Sequence, residues 1–108
     1  MRRAFRMRLK PNCEAIYKQK HDDVWPEVVA AHLREGITTF TIFREGLDLF
    51  AYLERDDSVP EPVEPPAILW DWWRMMEPYM ECGDDSRPIT WDLEEVFHME
   101  ASEGDASS

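Results

Sequence analysis

Basic residues are scarce in this chain of 108 residues: 12 Lys and Arg stand against 23 Asp and Glu, a formal charge of −11. Nucleic-acid binding draws its affinity mainly from Lys and Arg displacing counterions, so nucleic acid and anionic membrane are poor candidates as partners. Cysteine is scarcer still. Cys13 and Cys82 are too few for a disulfide framework, and neither has Cys or His neighbours at zinc-ligand spacing, which predicts reduced, partly buried thiols. No apolar run approaches the roughly 20 residues that a membrane span requires. The segment Met1 to Arg8 is basic but never opens into an apolar stretch, so it does not read as a secretory signal, and a cytoplasmic location is expected. A Gly-rich phosphate loop, a Gly-x-Ser-x-Gly elbow and a dinucleotide fingerprint are also missing, so nothing suggests nucleotide or acyl-transfer chemistry.

What is there is globular in composition, with 44% apolar and 12% aromatic residues. A folded monomer of this mass buries about two-thirds of its extended surface, enough for one core, and residues 1–99 are expected to form a single domain. Phe5, Met7 and Leu9 alternate with Arg6 and Arg8, the period-2 signature of a half-buried strand. Pro11-Asn12 punctuates the chain, and Asn12 reads as the N-cap of a helix starting at Cys13. Pro26 removes a backbone donor, so the segment 13–35 is expected to bend or split near Trp25, with Gly36 as the residue that stops it. Ile37 to Phe43 and Leu49 to Leu53 flank the turn signal Glu45-Gly46 and read as a β-hairpin.

Residues 55–66 hold Pro60, Pro62, Pro65 and Pro66 with four acidic residues, which predicts an extended, exposed loop. Apolar and aromatic density returns with helical spacing from Ala67 to Met80, interrupted late by Pro78, and residues 83–88 form a loop. Asp92 to Met99 is expected to be the last strand, and the small, polar residues 100–108 a disordered tail. The order β, α, β, β, α, β is the α+β, ferredoxin-like pattern. Two helices cover one face of such a sheet. The other face would be a large exposed apolar patch, so a homodimer in which two sheets meet is expected.

The densest chemical constellation runs from Tyr17 to Glu27. Tyr17 and His21 are four apart and share a helix face, bringing a phenol and an imidazole to one cavity, with Trp25 near it if the helix continues. His21 is the general acid/base candidate, because an unperturbed imidazole titrates near pH 6.5; a solvated helix-end histidine beside Asp22 and Asp23 is the competing reading. His32, eleven residues on, and His98 have no chemical neighbours and read as structural. A metal held by His21, Asp22 and Glu27 lacks a second His at helical spacing, so no metal is expected. Trp70, Trp72 and Trp73 cannot all face one core, since consecutive helical residues point about 100° apart, so at least one ring lines a cleft or an interface. A flat apolar ring with an N–H at its edge suits the C–H faces and hydroxyls of a sugar.

In order and spacing, Arg3 to Met7, the Tyr17 and His21 pair, Trp25-Pro26-Glu27, Trp72-Trp73 and Leu93 to Phe97 resemble the L-rhamnose mutarotase family over residues 3–99. The resemblance implies a dimeric α+β barrel of ferredoxin-like subunits that interconverts the α and β anomers of a 6-deoxy sugar by acid/base ring opening, without a cofactor. By the same likeness His21 matches the family's proton donor, Tyr17 a substrate-binding tyrosine, and Trp72 and Trp73 the substrate-binding pair. Phe40 stands where the family usually has a substrate-binding Tyr, which implies an altered sugar preference or weaker activity, and the Pro-rich 55–66 segment replaces the start of a charged helix, which implies a rebuilt pocket wall near the second helix. Two other readings remain open at this point: a cofactor-free monooxygenase-like barrel, and a non-catalytic sugar-binding or dimerisation module.

Overall fold

The computed structural model describes residues 1–101. Strand β1 (Arg2–Arg8) buries Phe5 and Met7 on one side and turns Arg6 and Arg8 to the other. Helix α1 (Glu14–Asp22) stops at Asp23, and α2 (Pro26–Arg34) starts afresh with Pro26 in its first turn, where the missing N–H has no intrahelical partner to lose. The expected split at Trp25 is therefore present. Strands β2 (Ile37–Glu45) and β3 (Asp48–Arg55) form the hairpin, joined by Gly46-Leu47 with Gly46 at φ 60°, the left-handed first position of a type II′ turn. Helix α3 (Ala67–Met76) runs into one 3₁₀ turn at Glu77–Tyr79 that accommodates Pro78, and β4 (Trp91–Leu93) is short.

The sheet is antiparallel throughout, in the order β2-β3-β1-β4. With α1 and α2 counted as one crossover and α3 as the other, this is the βαββαβ ferredoxin-like connectivity. The helices lie over one face of the sheet, and the core between them gathers Phe5, Met7, Leu9, Leu49, Ala51 and Leu53 from the strands with Tyr17, Val28, Leu69, Trp72 and Met76 from the helices. Residues 56–66 hold no helix or strand, as the prolines require. They are nonetheless tethered: Gly36, at φ 89° past the end of α2, has the Val59 side chain 2.7 Å from where a Cβ would stand. The opposite face carries Phe43, Phe50 and Tyr52 beside Trp91 and Leu93 of β4. Phe43 is 63% exposed and Leu93 45%. No helix among the described residues is long and apolar enough to cross a membrane.

Two expectations need correction. Asn12 is not the N-cap: it sits at φ 66° in the turn after Pro11, a left-handed conformation that Asn tolerates, and Cys13 caps α1 without a side-chain hydrogen bond. Nor does the last strand run from Asp92 to Met99. It pairs only Trp91 to Leu93 with Arg6 to Ala4, and the pairing stops two residues short of the start of β1 at Arg2. Residues 94–100 leave the sheet, held near it by Arg2 Nε donating to Glu95 at 2.7 Å, with Val96, Phe97 and Met99 exposed. The tail expected at 100–108 falls, from residue 102 onward, outside the described residues.

Candidate active site

Between the helices and the inner face of the sheet lies a cavity of about 670 Å³. Tyr17, His21, Phe40, Trp72 and Trp73, the residues singled out above, all line it. Helix α1 sets the first pair: at i and i+4 the Tyr17 and His21 rings lie 4.2 Å apart. His21 Nδ1 is 3.1 Å from the backbone oxygen of Tyr17. A carbonyl only accepts, so Nδ1 carries the hydrogen, and the neutral ring keeps its lone pair on Nε2. Burial pushes the His21 pKa below the ordinary histidine value, against the Tyr17 carbonyl and nearby Asp22, which favour the cation. The ring is thus a neutral base at pH 7. Burial also pushes the Tyr17 phenol well above its usual range, so it stays protonated and offers a hydrogen bond, not a proton.

The paired tryptophans do not act as one surface. Trp72 is 6% exposed and belongs to the core, its ring meeting His21 edge-to-face at 5.5 Å and Trp25 at 5.1 Å. Trp25 is outside the cavity wall; the end of helix α1 at Asp22 still lets it meet the Trp72 ring. Trp73, half-buried and about 100° further round α3, meets Trp70 at 5.1 Å and lies under the Arg87 guanidinium at 5.2 Å. One indole therefore holds the histidine and the other lines the cavity beside Arg87.

The sheet supplies the floor. Phe5, Leu49 and Leu53 are apolar, and Arg3, paired with Asp92 at 2.9 Å, lies 4.9 Å over the Phe5 ring. Phe40 meets Phe5 edge-to-face at 6.3 Å and stacks on His32 at 5.5 Å. His32, read from the sequence as structural, therefore lines the cavity, as do Glu14 and Glu35, which the sequence reading did not select. The available signal was the spacing: Glu14, Tyr17 and His21 share a face of α1 at steps of three and four. His98 lies away from the cavity, 3.5 Å from Glu100. Among the described residues no group of His, Cys, Asp and Glu could hold a metal ion, and Asp22 and Glu27 do not line the cavity with His21. The arrangement suits a small neutral molecule with apolar faces and hydroxyl edges, presented to one half-buried imidazole.

Comparison with known proteins bears on which molecule that is. A family model described as L-rhamnose mutarotase matches residues 2–99. The chain is 33% identical over 102 residues to an L-rhamnose mutarotase of Oceanobacillus iheyensis, covering 92% of this chain and 98% of the relative. It is 39% identical over 103 residues to one of Acidiphilium cryptum, covering 89% and 95%. Its fold superposes on the crystal structure of an L-rhamnose mutarotase from Formosa agariphila with a TM-score of 0.84 at 32% identity, covering 93% of this chain and 99% of that one.

Proposed function

This chain belongs to the L-rhamnose mutarotase family, and from that premise we propose how its cavity interconverts the α and β anomers of L-rhamnose or a related 6-deoxy sugar. The observation that carries the mechanism is the His21 Nδ1–H bond to the Tyr17 carbonyl, which leaves a lone pair on Nε2 beside the cavity. Nε2 takes the proton of the anomeric hydroxyl. The resulting oxyanion forms the aldehyde carbonyl as the C1–O5 bond breaks, and the O5 alkoxide takes the proton back from the imidazolium. Both oxygens sit on the same carbon, so one imidazole serves each in turn, first as base and then as proton donor. Rotation about C1–C2 and the reverse sequence close the ring as the other anomer.

His21 is the catalytic residue in this reading, and no cofactor enters the balance. Tyr17 donates a hydrogen bond that orients the sugar, Trp72 walls the histidine, and Trp73 and Phe40 pack on the apolar face. Phe40 has no hydroxyl to offer. A typical net hydrogen bond is worth about 0.5–1.5 kcal/mol, which bears on sugar preference more than on reaction type.

Residues 1–99 act as one domain, and two copies meet through the sheet faces that the helices leave bare. Phe43, Phe50, Tyr52, Trp91 and Leu93 support this: they form an apolar strip whose flank is organised by Arg6, 4.2 Å over the Trp91 ring and bonded with Arg8 to Asp48. Contiguous exposed apolar side chains of this kind favour association, and facing sheets would make the dimeric α+β barrel.

Saturation transfer between the two anomeric protons of L-rhamnose, measured with an oxygen electrode in parallel, tests the activity. Enzyme-dependent exchange without oxygen uptake is the expected result. Oxygen uptake with an aromatic substrate would favour a monooxygenase, and sugar binding without exchange a non-catalytic module.

A further inference from the structure

The cavity has polar groups at a second place, and the ring-opening chemistry leaves them unused. His32, on the last turn of α2, lines the cavity with its imidazole stacked on Phe40, centroids 5.5 Å apart and planes 30° from parallel. Its Nδ1 is buried with no partner, and no hydrogen bond of Nε2 is found among the described residues either. An orphaned buried N–H is rarer than an orphaned lone pair, so the hydrogen belongs on Nε2, the ring nitrogen a ligand can reach. Burial lowers the His32 pKa and keeps the ring neutral, which preserves that single donor at working pH. Three residues on, Glu35 brings another buried oxygen without a partner, Oε1, to the same cavity. With Nδ1 closed off, Nε2 is the His32 nitrogen open to the cavity, and a donor there without an acceptor among the described residues points to a ligand that supplies one.

We propose that His32 is a substrate-contacting residue, whose Nε2–H donates to a hydroxyl oxygen of the bound pyranose while Phe40 holds the imidazole plane. The proposal rests on the reading of this cavity as the sugar site. It assigns His32 to binding and to discrimination between sugars that differ at the hydroxyl it meets, and assigns it no proton transfer. The stacked pair divides the work of one side chain that would have both a flat face and a polar edge: Phe40 supplies the face and His32 the edge.

His32→Phe keeps a ring to stack on Phe40 and removes the donor; His32→Gln removes the ring and restores a donor. Anomer exchange of L-rhamnose is measured at varied sugar concentration, with Kd from tryptophan fluorescence. For His32→Phe, KM and Kd should rise by roughly three- to tenfold, the size of one net hydrogen bond, while kcat stays within about twofold. His32→Gln should recover part of the loss. Unchanged KM and Kd, or a fall in kcat at constant KM, would overturn the proposal. Long-range ¹H–¹⁵N correlation of the wild-type imidazoles serves even if a variant fails to fold. It should show His32 as the neutral Nε2–H tautomer, with Nε2 shifting on L-rhamnose addition; an Nδ1–H tautomer or no shift at saturation would overturn it. Wild-type exchange controls separately for the parent reading: binding that weakens in His32→Phe without any wild-type exchange would sink the mutarotase mechanism and leave this contact standing, whereas absence of wild-type binding overturns both.

Discussion

Truncating the two adjacent tryptophans should have opposite consequences. Trp72 is 6% exposed, packed among core residues and set edge-to-face against both His21 and Trp25. Removing a buried indole costs about 3–5 kcal/mol, from lost burial and the cavity left behind. Against a total of about 5–15 kcal/mol for a domain, that is a large share. Trp73 is half-buried, and its specific partners are one aromatic ring and one guanidinium. Those contacts are worth about 1–2.5 kcal/mol together. Equilibrium denaturation should therefore separate Trp72→Ala from Trp73→Ala by about 2 kcal/mol, the difference of those ranges. Kinetics should separate them too. Trp72→Ala frees the His21 ring and lowers kcat, whereas Trp73→Ala removes a sugar-facing wall and raises KM with kcat nearly kept. Equal stability losses, or a matching pattern of kcat and KM in the two variants, would refute the assignment of one indole to the histidine and the other to the sugar.

Other outcomes follow from the same geometry. Burial lowers the pKa of both His21 and His32, so between their folded values and the unfolded value of about 6.5 the unfolded chain binds more protons. Stability from these two groups is thus complete above about pH 6.5–7 and falls as pH drops below it. Chemical denaturation across pH 5–8 should show a shallower acid decline in His21→Phe/His32→Phe than in the wild type; parallel curves would contradict the neutral-histidine assignment. Exchange above the uncatalysed background should hold down to pH 6.5 and fall only below it, since neutral His21 is the base. Phe40→Tyr, which adds a hydroxyl at a 37% exposed cavity position, should exchange L-rhamnose as fast as the wild type or faster, by saturation-transfer NMR. Leu93→Asp, on the bare sheet face, should shift the protein from dimer to monomer in analytical ultracentrifugation, and an unchanged sedimentation coefficient would count against sheet-to-sheet association.

Much of this architecture could be read from residue patterns because the signals are local. The alternation of Phe5, Met7 and Leu9 depends only on strand periodicity, and Pro26 must end one helix or begin another wherever the rest of the chain lies. Gly46 marked the hairpin for the same reason. The features that escaped depend on partners. β4 stops at Leu93, opposite Ala4, and beyond Glu95 the register would run past Arg2, where β1 starts ninety residues earlier, so Val96 and Phe97 look like strand residues yet have no strand to pair with. Asn12 has the chemistry of a cap and the backbone freedom of a turn residue, and the path out of Pro11 decides between them. At the site, the Tyr17 and His21 pair was legible from its spacing along one helix. His32 was not, because its significance comes from Phe40 on a different element and from a cavity that no linear pattern displays.

Ring opening in this cavity depends most directly on His21. Saturation-transfer exchange of the L-rhamnose anomeric protons should fall by roughly 10²- to 10⁴-fold in His21→Ala, the usual contribution of a positioned acid/base group, while circular dichroism shows the variant folded. A folded His21→Ala protein exchanging the anomers at the wild-type rate would contradict it.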